Sequence, residues 1–425
     1  MFILCRYLRD AGIDAQLVTL SDEPAHFSPG ADSYDENYKA YYTVLPITKS
    51  TLYKPESIDL LKATLKDFDF FIGSDIAPAL TTLIGRKLDV FIPHGSDIYA
   101  LPFAPKRKKG TDKVWWLREK DTLSKLQKIG IESVTTILFP DEYDIHFPFK
   151  DKLTTKATYH NTSGPMVYIP QYKGLLNKVE VKQLDYYDQF YTLRQENDLL
   201  IFSHSRHNGF TLPEELAIHQ KGNHHLIKGF AGFTRNNPTV KTRLIFFEYG
   251  MDVDASKKLI KTEGITNQVV WMPLMPRKEI MFGLNSSDIS CGQYENSWLT
   301  CGVVNETLAS EIPLLHYRED HLYQKDYADL YPLLNANAPE DITVAIQNYW
   351  NEPEVYKAKA KKGADWLHKY TVENPLKIVK EAMKNQRESH LENSALKEVF
   401  QVLKKYNLRD KIYRAQGKIK NKLKG

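Results

Sequence analysis

Cysteine is scarce in this 425-residue chain, which has only Cys5, Cys291 and Cys301. Three thiols cannot all pair, and none stands at metal-ligand spacing, so neither a disulfide framework nor a thiolate metal site is expected. Long apolar runs are missing as well. No stretch approaches the ~18 residues that a membrane-spanning helix needs. The opening MFILCRYLRD has too short an apolar run, and meets a charge too early, for a secretory leader. A reducing, cytoplasmic setting is the expectation. A large excess of one charge is also lacking. The 57 Lys and Arg against 53 Asp and Glu leave a net charge of +4, too little to imply nucleic-acid binding. With 42% apolar and 26% charged residues the composition is that of an ordinary globular protein. The length calls for two or more domains.

One further absence is local. A doubly wound domain normally opens on a strand and a glycine-rich turn before its first helix. Here residues 2–11 already read as that helix, closed by Gly12. The N-terminal sheet is therefore expected to lack its first, inner strand, and a mis-assigned start codon explains this more simply than a genuine truncation.

What is present is alternation. Short apolar runs at residues 14–20, 68–74, 89–95, 134–140, 166–170, 199–203, 244–250, 269–272, 288–290 and 313–317 read as strands buried on both faces. Amphipathic stretches between them, at 57–66, 77–86, 114–129, 226–233, 255–262, 276–284 and 303–310, read as helices. Strand–helix–strand repetition implies right-handed crossovers and an α/β class of two Rossmann-like doubly wound domains. The boundaries predicted are 1–175 and 190–365, separated by the polar, aromatic-rich stretch 171–197 with little strand character. A helix over 366–390 is expected to cross back to the first domain, followed by a basic helical tail at 391–425.

The segment from Gly302 to Pro313 reads as a glycine-bearing loop, a short helix with Glu306 one turn inside, then a buried strand. Free N–H groups at such a helix start suit a phosphate, and the carboxylate can accept both hydroxyls of a ribose. A solvated helical acid is the plainer alternative.

Val269-Val-Trp-Met-Pro273, Pro276-Arg-Lys-Glu-Ile280, Ser287-Asp-Ile289 and Asn305-Glu-Thr-Leu-Ala-Ser-Glu-Ile-Pro313 together resemble the C-terminal domain of GT-B glycosyltransferases, most of all the retaining enzymes of family four. The likeness runs over 198–385, with weaker echoes over 2–102, and omits the tail. It implies two facing domains with a nucleoside-diphosphate sugar between them and no metal. An arginine and a Lys-Gly pair grip the diphosphate in that family. Arg206 and Lys221-Gly222 match them, with Lys228-Gly229 a weaker candidate inside a helical pattern. Independently of the likeness, breaking a sugar–phosphate bond leaves negative charge that two fixed cations stabilise without a metal.

The turn Met272, Pro273, Leu274 is implied to hold the base, Glu306 the ribose, and Thr307 beside it the donor. The family's second glutamate, eight residues before the first, is here Trp298. This departure leaves the donor sugar to Gln293, Tyr294 and Glu295. In the first domain, His94-Gly95-Ser96-Asp97 resembles the family's His-Gly-x-Asp. His94 is implied to face the bond being cleaved, with Gly95 and Asp97 on the acceptor side; a structural histidine is the alternative.

Two decoys are set aside. Asp252-Val-Asp254 spells a metal-binding Asp-x-Asp, but Asp254 is better read as a helix N-cap. His204, His207, His224 and His225 cluster without a common zinc spacing. From Gln401 to Gly425 the tail carries Lys404, Lys405, Arg409, Lys411, Arg414, Lys418, Lys420, Lys422 and Lys424 against Asp410 alone, more than the whole net charge. Such a helix can lie on an anionic membrane surface, although a solvated tail is equally compatible. The reading is a retaining, metal-independent transferase that moves a sugar to a glycan or lipid-linked acceptor in bacterial cell-surface polysaccharide synthesis at the inner membrane face. A nucleotide-sugar 2-epimerase and an inactive nucleotide-sugar-binding protein are the alternatives.

Overall fold

The computed structural model describes residues 1–21, 28–103, 107, 109–209, 218–385 and 390–422. Its strands are β1 (Leu17–Leu20), β2 (Tyr42–Leu45), β3 (Ile72–Gly73), β4 (Val90–Phe91), β5 (Thr136–Leu138), β6 (Thr158–His160), β7 (Leu199–Phe202), β8 (Thr242–Phe247), β9 (Val269–Met272), β10 (Ile289–Cys291), β11 (Leu314–His316) and β12 (Leu334–Asn335). All pairings between them are parallel. The C-terminal sheet runs β12-β11-β10-β7-β8-β9, the doubly wound order whose direction reverses between β7 and β10. The crevice at that reversal, at the carboxyl ends of the strands, is where such sheets hold ligands. Apolar strands pack on both faces: Ile201, Leu244 and Phe246 against Leu226, Ile227 and Phe230, and Phe202, Ile245 and Phe247 against Met281, Phe282 and Leu308.

The N-terminal half is built differently. Its described strands form two separate parallel sheets, β1-β2 and β3-β4-β5-β6. Between these two sheets lies a gap that no described strand fills. Helix Phe2–Asp10 spans that gap, packing Phe2 and Cys5 against Leu17 of β1, and Leu4 and Leu8 against Val90 of β4 and Leu138 of β5.

Two local expectations are corrected. Residues 166–170 form no strand, because Pro165 and Pro170 withhold ladder donors, and a short helix begins at Ile169. The strand of that region is β6, a more exposed and polar edge segment that apolar runs cannot reveal. β2 and the two-residue β12 were also invisible to that pattern. The stretch 171–197 does lack strands, but it is no free linker. Tyr172, Leu175, Val181, Leu184 and Phe190 pack into the C-terminal core.

Helices Pro353–His368 and Asn374–Lys384 flank a single π turn at Lys369–Glu373. Trp366 and Leu367 sit in the C-terminal core, whereas Val372 and Val379 pack with Phe2, Leu4 and Val90 of the other half. The chain thus crosses back within these two helices. The last helix, Asn393–Lys422, lies along Lys113–Glu132, burying Val399 and Tyr406 with Leu123, Leu126 and Ile129. Its Arg409 bonds Asp121 at 2.8 Å, and its Asp410 takes Arg118 at 3.0 Å. The first part of the tail is therefore docked, with some charge internally paired. The side chains of Lys418, Lys420, Lys422 and Lys424 lie outside the described residues. No helix among the described residues is long and apolar enough to cross a membrane.

Candidate functional site

Glu306 lies on helix Gly302–Ala309, in the crevice region beside β10, and its carboxylate is buried. His204, just past β7, lies 2.7 Å from Oε2 through its Nε2, and Arg277 donates to Oε1 from Nε at 2.8 Å. Burial pushes the Glu306 pKa up, but these two partners outweigh it and hold it below its ordinary value. Arg277 then reaches across to the N-terminal half. Its Nη1 donates to the Met166 carbonyl at 2.9 Å and stands 3.6 Å from Asp32. Asp32 also accepts from Tyr172 at 2.8 Å and lies 3.7 Å from Arg6. Its pKa is raised, because burial wins where the cations stand that far off.

A ribose-holding carboxylate can thus be supplied at Glu306, tied through Arg277 to the opposite half. Arg277 was missed because nothing near it in sequence hints at partners from residues 32, 166 and 306. Thr307, expected beside the donor, is instead fully buried. Its hydroxyl donates to Val303 O at 2.7 Å and lies 2.6 Å from the Ser290 hydroxyl, fastening the helix to β10.

Arg206 and Lys221 come together. Arg206 is exposed, with its guanidinium 5.5 Å from the Tyr249 ring centroid. Lys221 Nζ donates to Gln293 Oε1 at 2.6 Å, and neither cation meets a carboxylate among the described residues. Burial, with Arg206 nearby, lowers the Lys221 pKa. Gly222 has φ +67, and a Cβ there would lie 2.9 Å from Tyr294 Cβ and 3.0 Å from Glu295 N. Tyr294 N–H donates to Lys221 O at 3.0 Å, so the turn is clamped against the loop after β10. Lys228 lies exposed on helix Asn223–Asn236, leaving Lys221 as the lysine of the turn.

Pro273 and Leu274 are exposed at the end of β9. The Met272 side chain lies in the core, and its carbonyl accepts from Glu248 N, so only the following two residues offer themselves to a base. Gln293 is buried, and Glu295 pairs with His225 at 3.4 Å. Trp298 packs its ring 5.1 Å from Tyr143 of the N-terminal half. Next to it, Leu299 N–H donates to Glu142 at 3.0 Å. Burial, against the N–H groups of Leu299 and Thr300, raises Glu142 to about 7. The loop where the family places its second glutamate is therefore sealed by aromatic and carboxyl groups from the other half.

His94 follows β4 and is exposed. Desolvation by the surrounding protein, helped by the N-terminal ammonium, lowers it to about 4, so it is neutral near pH 7. Asp97 is turned inward. It accepts from the N–H groups of Asp75 at 2.9 Å, His94 at 3.0 Å and Gly95 at 2.8 Å. Burial nevertheless lifts it to about 6. Asp97 shapes the His94 loop, while Gly95, at φ +133, supplies a conformation other residues resist.

The decoys resolve in detail. Asp252, not Asp254, is the N-cap of helix Val253–Thr262, and its carboxylate accepts from Gly209 N–H at 2.7 Å. His207 is buried 2.8 Å from the Ser256 hydroxyl. Around the crevice, Ser203 Oγ, His204 Nδ1, Gln293 Nε2 and Asn305 Oδ1 are buried without a partner among the described residues.

No protein-family model matches the sequence, and no curated protein does. Solved structures do. A glycosyltransferase from Rickettsia africae is 12% identical at a TM-score of 0.52, with 90% of this chain and 94% of that one covered. Anabaena HepE, solved in complex with UDP and glucose, is 12% identical at 0.51, with coverages of 88% and 100%. HepE with UDP-glucose gives 13% at 0.50, with coverages of 87% and 100%. With the strand order and the crossing helix already described, these likenesses show that the chain has the GT-B glycosyltransferase fold of two Rossmann-like domains.

Proposed function

We propose that the chain is a glycosyltransferase that moves a sugar from a nucleoside diphosphate to a glycan or lipid-linked acceptor. Retention of configuration and a role in cell-surface polysaccharide synthesis follow from the resemblance to family four. The observation that carries the reading is the ring of unmatched polar groups at the carboxyl ends of β7 and β10. Two cations without carboxylates stand beside buried polar atoms without partners. Buried polar groups are rarely left so, and a diphosphate with a sugar satisfies both sets. Arg206 and Lys221 stabilise the charge that develops on the diphosphate. Glu306 accepts the ribose hydroxyls, Pro273 and Leu274 flank the base, and Gln293 serves the sugar. His94, as a neutral imidazole, hydrogen-bonds at the reacting end.

HepE was solved with UDP and UDP-glucose, which makes UDP-sugars the first donors to try. A thermal-shift series with UDP-, GDP-, ADP- and CDP-sugars should raise the melting temperature with one base class, because ligand at 100 times its Kd stabilises by about 2.7 kcal/mol. The shift should vanish in Lys221→Ala and Glu306→Gln. If no nucleotide sugar moves the transition, the proposal fails. A second reading, binding without transfer, is favoured by Trp298 at the place of the family's glutamate. It predicts the same thermal shift with no nucleotide released when acceptor extract is added.

A further inference from the structure

The first turn of helix Asn223–Asn236 carries two adjacent histidines, and the loop after β10 brings Glu295 onto them. One nitrogen from each of His224 and His225 and one Glu295 oxygen all lie within 4.8 Å of one another. The two imidazole centroids are 4.1 Å apart, and His225 Nε2 is 3.4 Å from Glu295 Oε2. For zinc bonds of about 2.0–2.1 Å, the edge of a ligand tetrahedron is about 3.3–3.4 Å. One edge of such a site is therefore already drawn, and the remaining separations lie within 4.8 Å. We propose that His224, His225 and Glu295 bind one divalent cation of the zinc type, leaving the other coordination positions to water or a ligand oxygen.

The backbone delivers these groups together. Gly222, at φ +67, sets the helix start against Tyr294 and Glu295, and the Tyr294 N–H to Lys221 carbonyl bond locks the two loops. Glu295, itself exposed, is thus presented to the histidines by a clamped turn. Beside the three groups, Asn223 Oδ1 and His225 Nδ1 are buried with no partner among the described residues. Unsatisfied polar atoms at that position suit ordered water around a bound ion. Two imidazoles and a carboxylate favour zinc over magnesium, which prefers an octahedron of oxygens. In sequence, the pair His224-His225 matched no zinc spacing because the third ligand lies in another loop, brought close only by the sheet.

The site borders the turn assigned above to the diphosphate, but it is read without any sugar nucleotide, so its failure leaves the transferase proposal standing. The full-length, untagged protein is stripped with a chelator, equilibrated with zinc sulfate and with magnesium chloride, and its metal content and affinity are measured. One zinc per chain is expected, with millimolar magnesium failing to compete. Affinity should fall by at least about tenfold in His225→Ala and in Glu295→Gln. Glu295 is partly exposed, so its variant keeps the test sound if His225→Ala unfolds. Absence of zinc from the wild-type chain, or zinc retained equally in both variants, overturns the site.

Discussion

Glu306 and Arg277 carry opposite lessons. The Glu306 side chain is 10% exposed and that of Asp32 7%, and Arg277 lies between them. Removing one member of a buried charge set leaves the others uncompensated, at a cost of about 3–5 kcal/mol. Arg277→Met should therefore lower the urea midpoint by an amount corresponding to about 3 kcal/mol. Arg277→Lys should recover only part, since it keeps the charge and loses the fork. An unchanged midpoint in Arg277→Met would mean that the network is only a surface arrangement. The acid behaviour follows from the same groups. Glu306 is held below its ordinary 4.5, so its contribution is present above that pH and is lost as pH falls through the lowered value. Asp32 is shifted the other way and is relieved by acid. Glu306 was legible from its place after Gly302; Arg277 was not.

Elements were read well where their reason was local. Continuous runs such as Leu199–Phe202 and Thr242–Phe247 announced buried strands, because both faces of a parallel strand meet helices. Edge strands such as Thr158–His160 escaped, because one exposed flank removes the apolar pattern. The turn at Gly222 offers a sharp test. Gly222→Ala must hold a left-handed backbone, costing about 1–2 kcal/mol, while its Cβ presses on Tyr294. We expect UDP affinity, measured by calorimetry, to fall by at least about tenfold. Affinity equal to wild type would detach this turn from the nucleotide. The tail helix makes a second case. Phe400 is 65% and Leu408 62% exposed, yet Val399 and Tyr406 are buried against helix Lys113–Glu132. Deleting residues 393–425 should lower the melting temperature and promote aggregation by uncovering Leu123 and Leu126. A truncated chain that melts as the full one does would show that the docking contributes nothing.

Taken together, the two halves are joined at several polar points: Arg277 with Met166 and Asp32, Glu142 with Leu299, and Tyr34 with the Lys278 carbonyl at 3.0 Å. Donor binding between domains usually couples to closure, and these contacts are what closure must keep or exchange. Acid should act on the protein as a unit. His207 and His316 are fully buried, and burial lowers each to about 4. At these two sites the unfolded chain takes up protons first as pH falls from about 6.5, so their share of stability drops between there and pH 4. Glu142 and Asp97, raised to about 7 and about 6, are relieved of buried charge over an overlapping range. Each histidine accounts for about 3 kcal/mol at the low end. The loss of urea midpoint between pH 7.5 and pH 5 should therefore be smaller in His316→Asn than in the wild type, and an equal loss in both contradicts it.

Residue patterning settled the α/β class and the doubly wound second domain, because hydrophobic period and helix signals depend on near neighbours. It also pointed to Arg206, Lys221 and Glu306 through motif order. Packing decided the rest. Thr307, Asp97 and Met272 were turned to structural work, Trp298 was sealed under Tyr143, and Arg277 was drawn into the crevice. Those outcomes depend on which side chains meet across distant strands and across the two halves, and only the closed tertiary fold sets those distances.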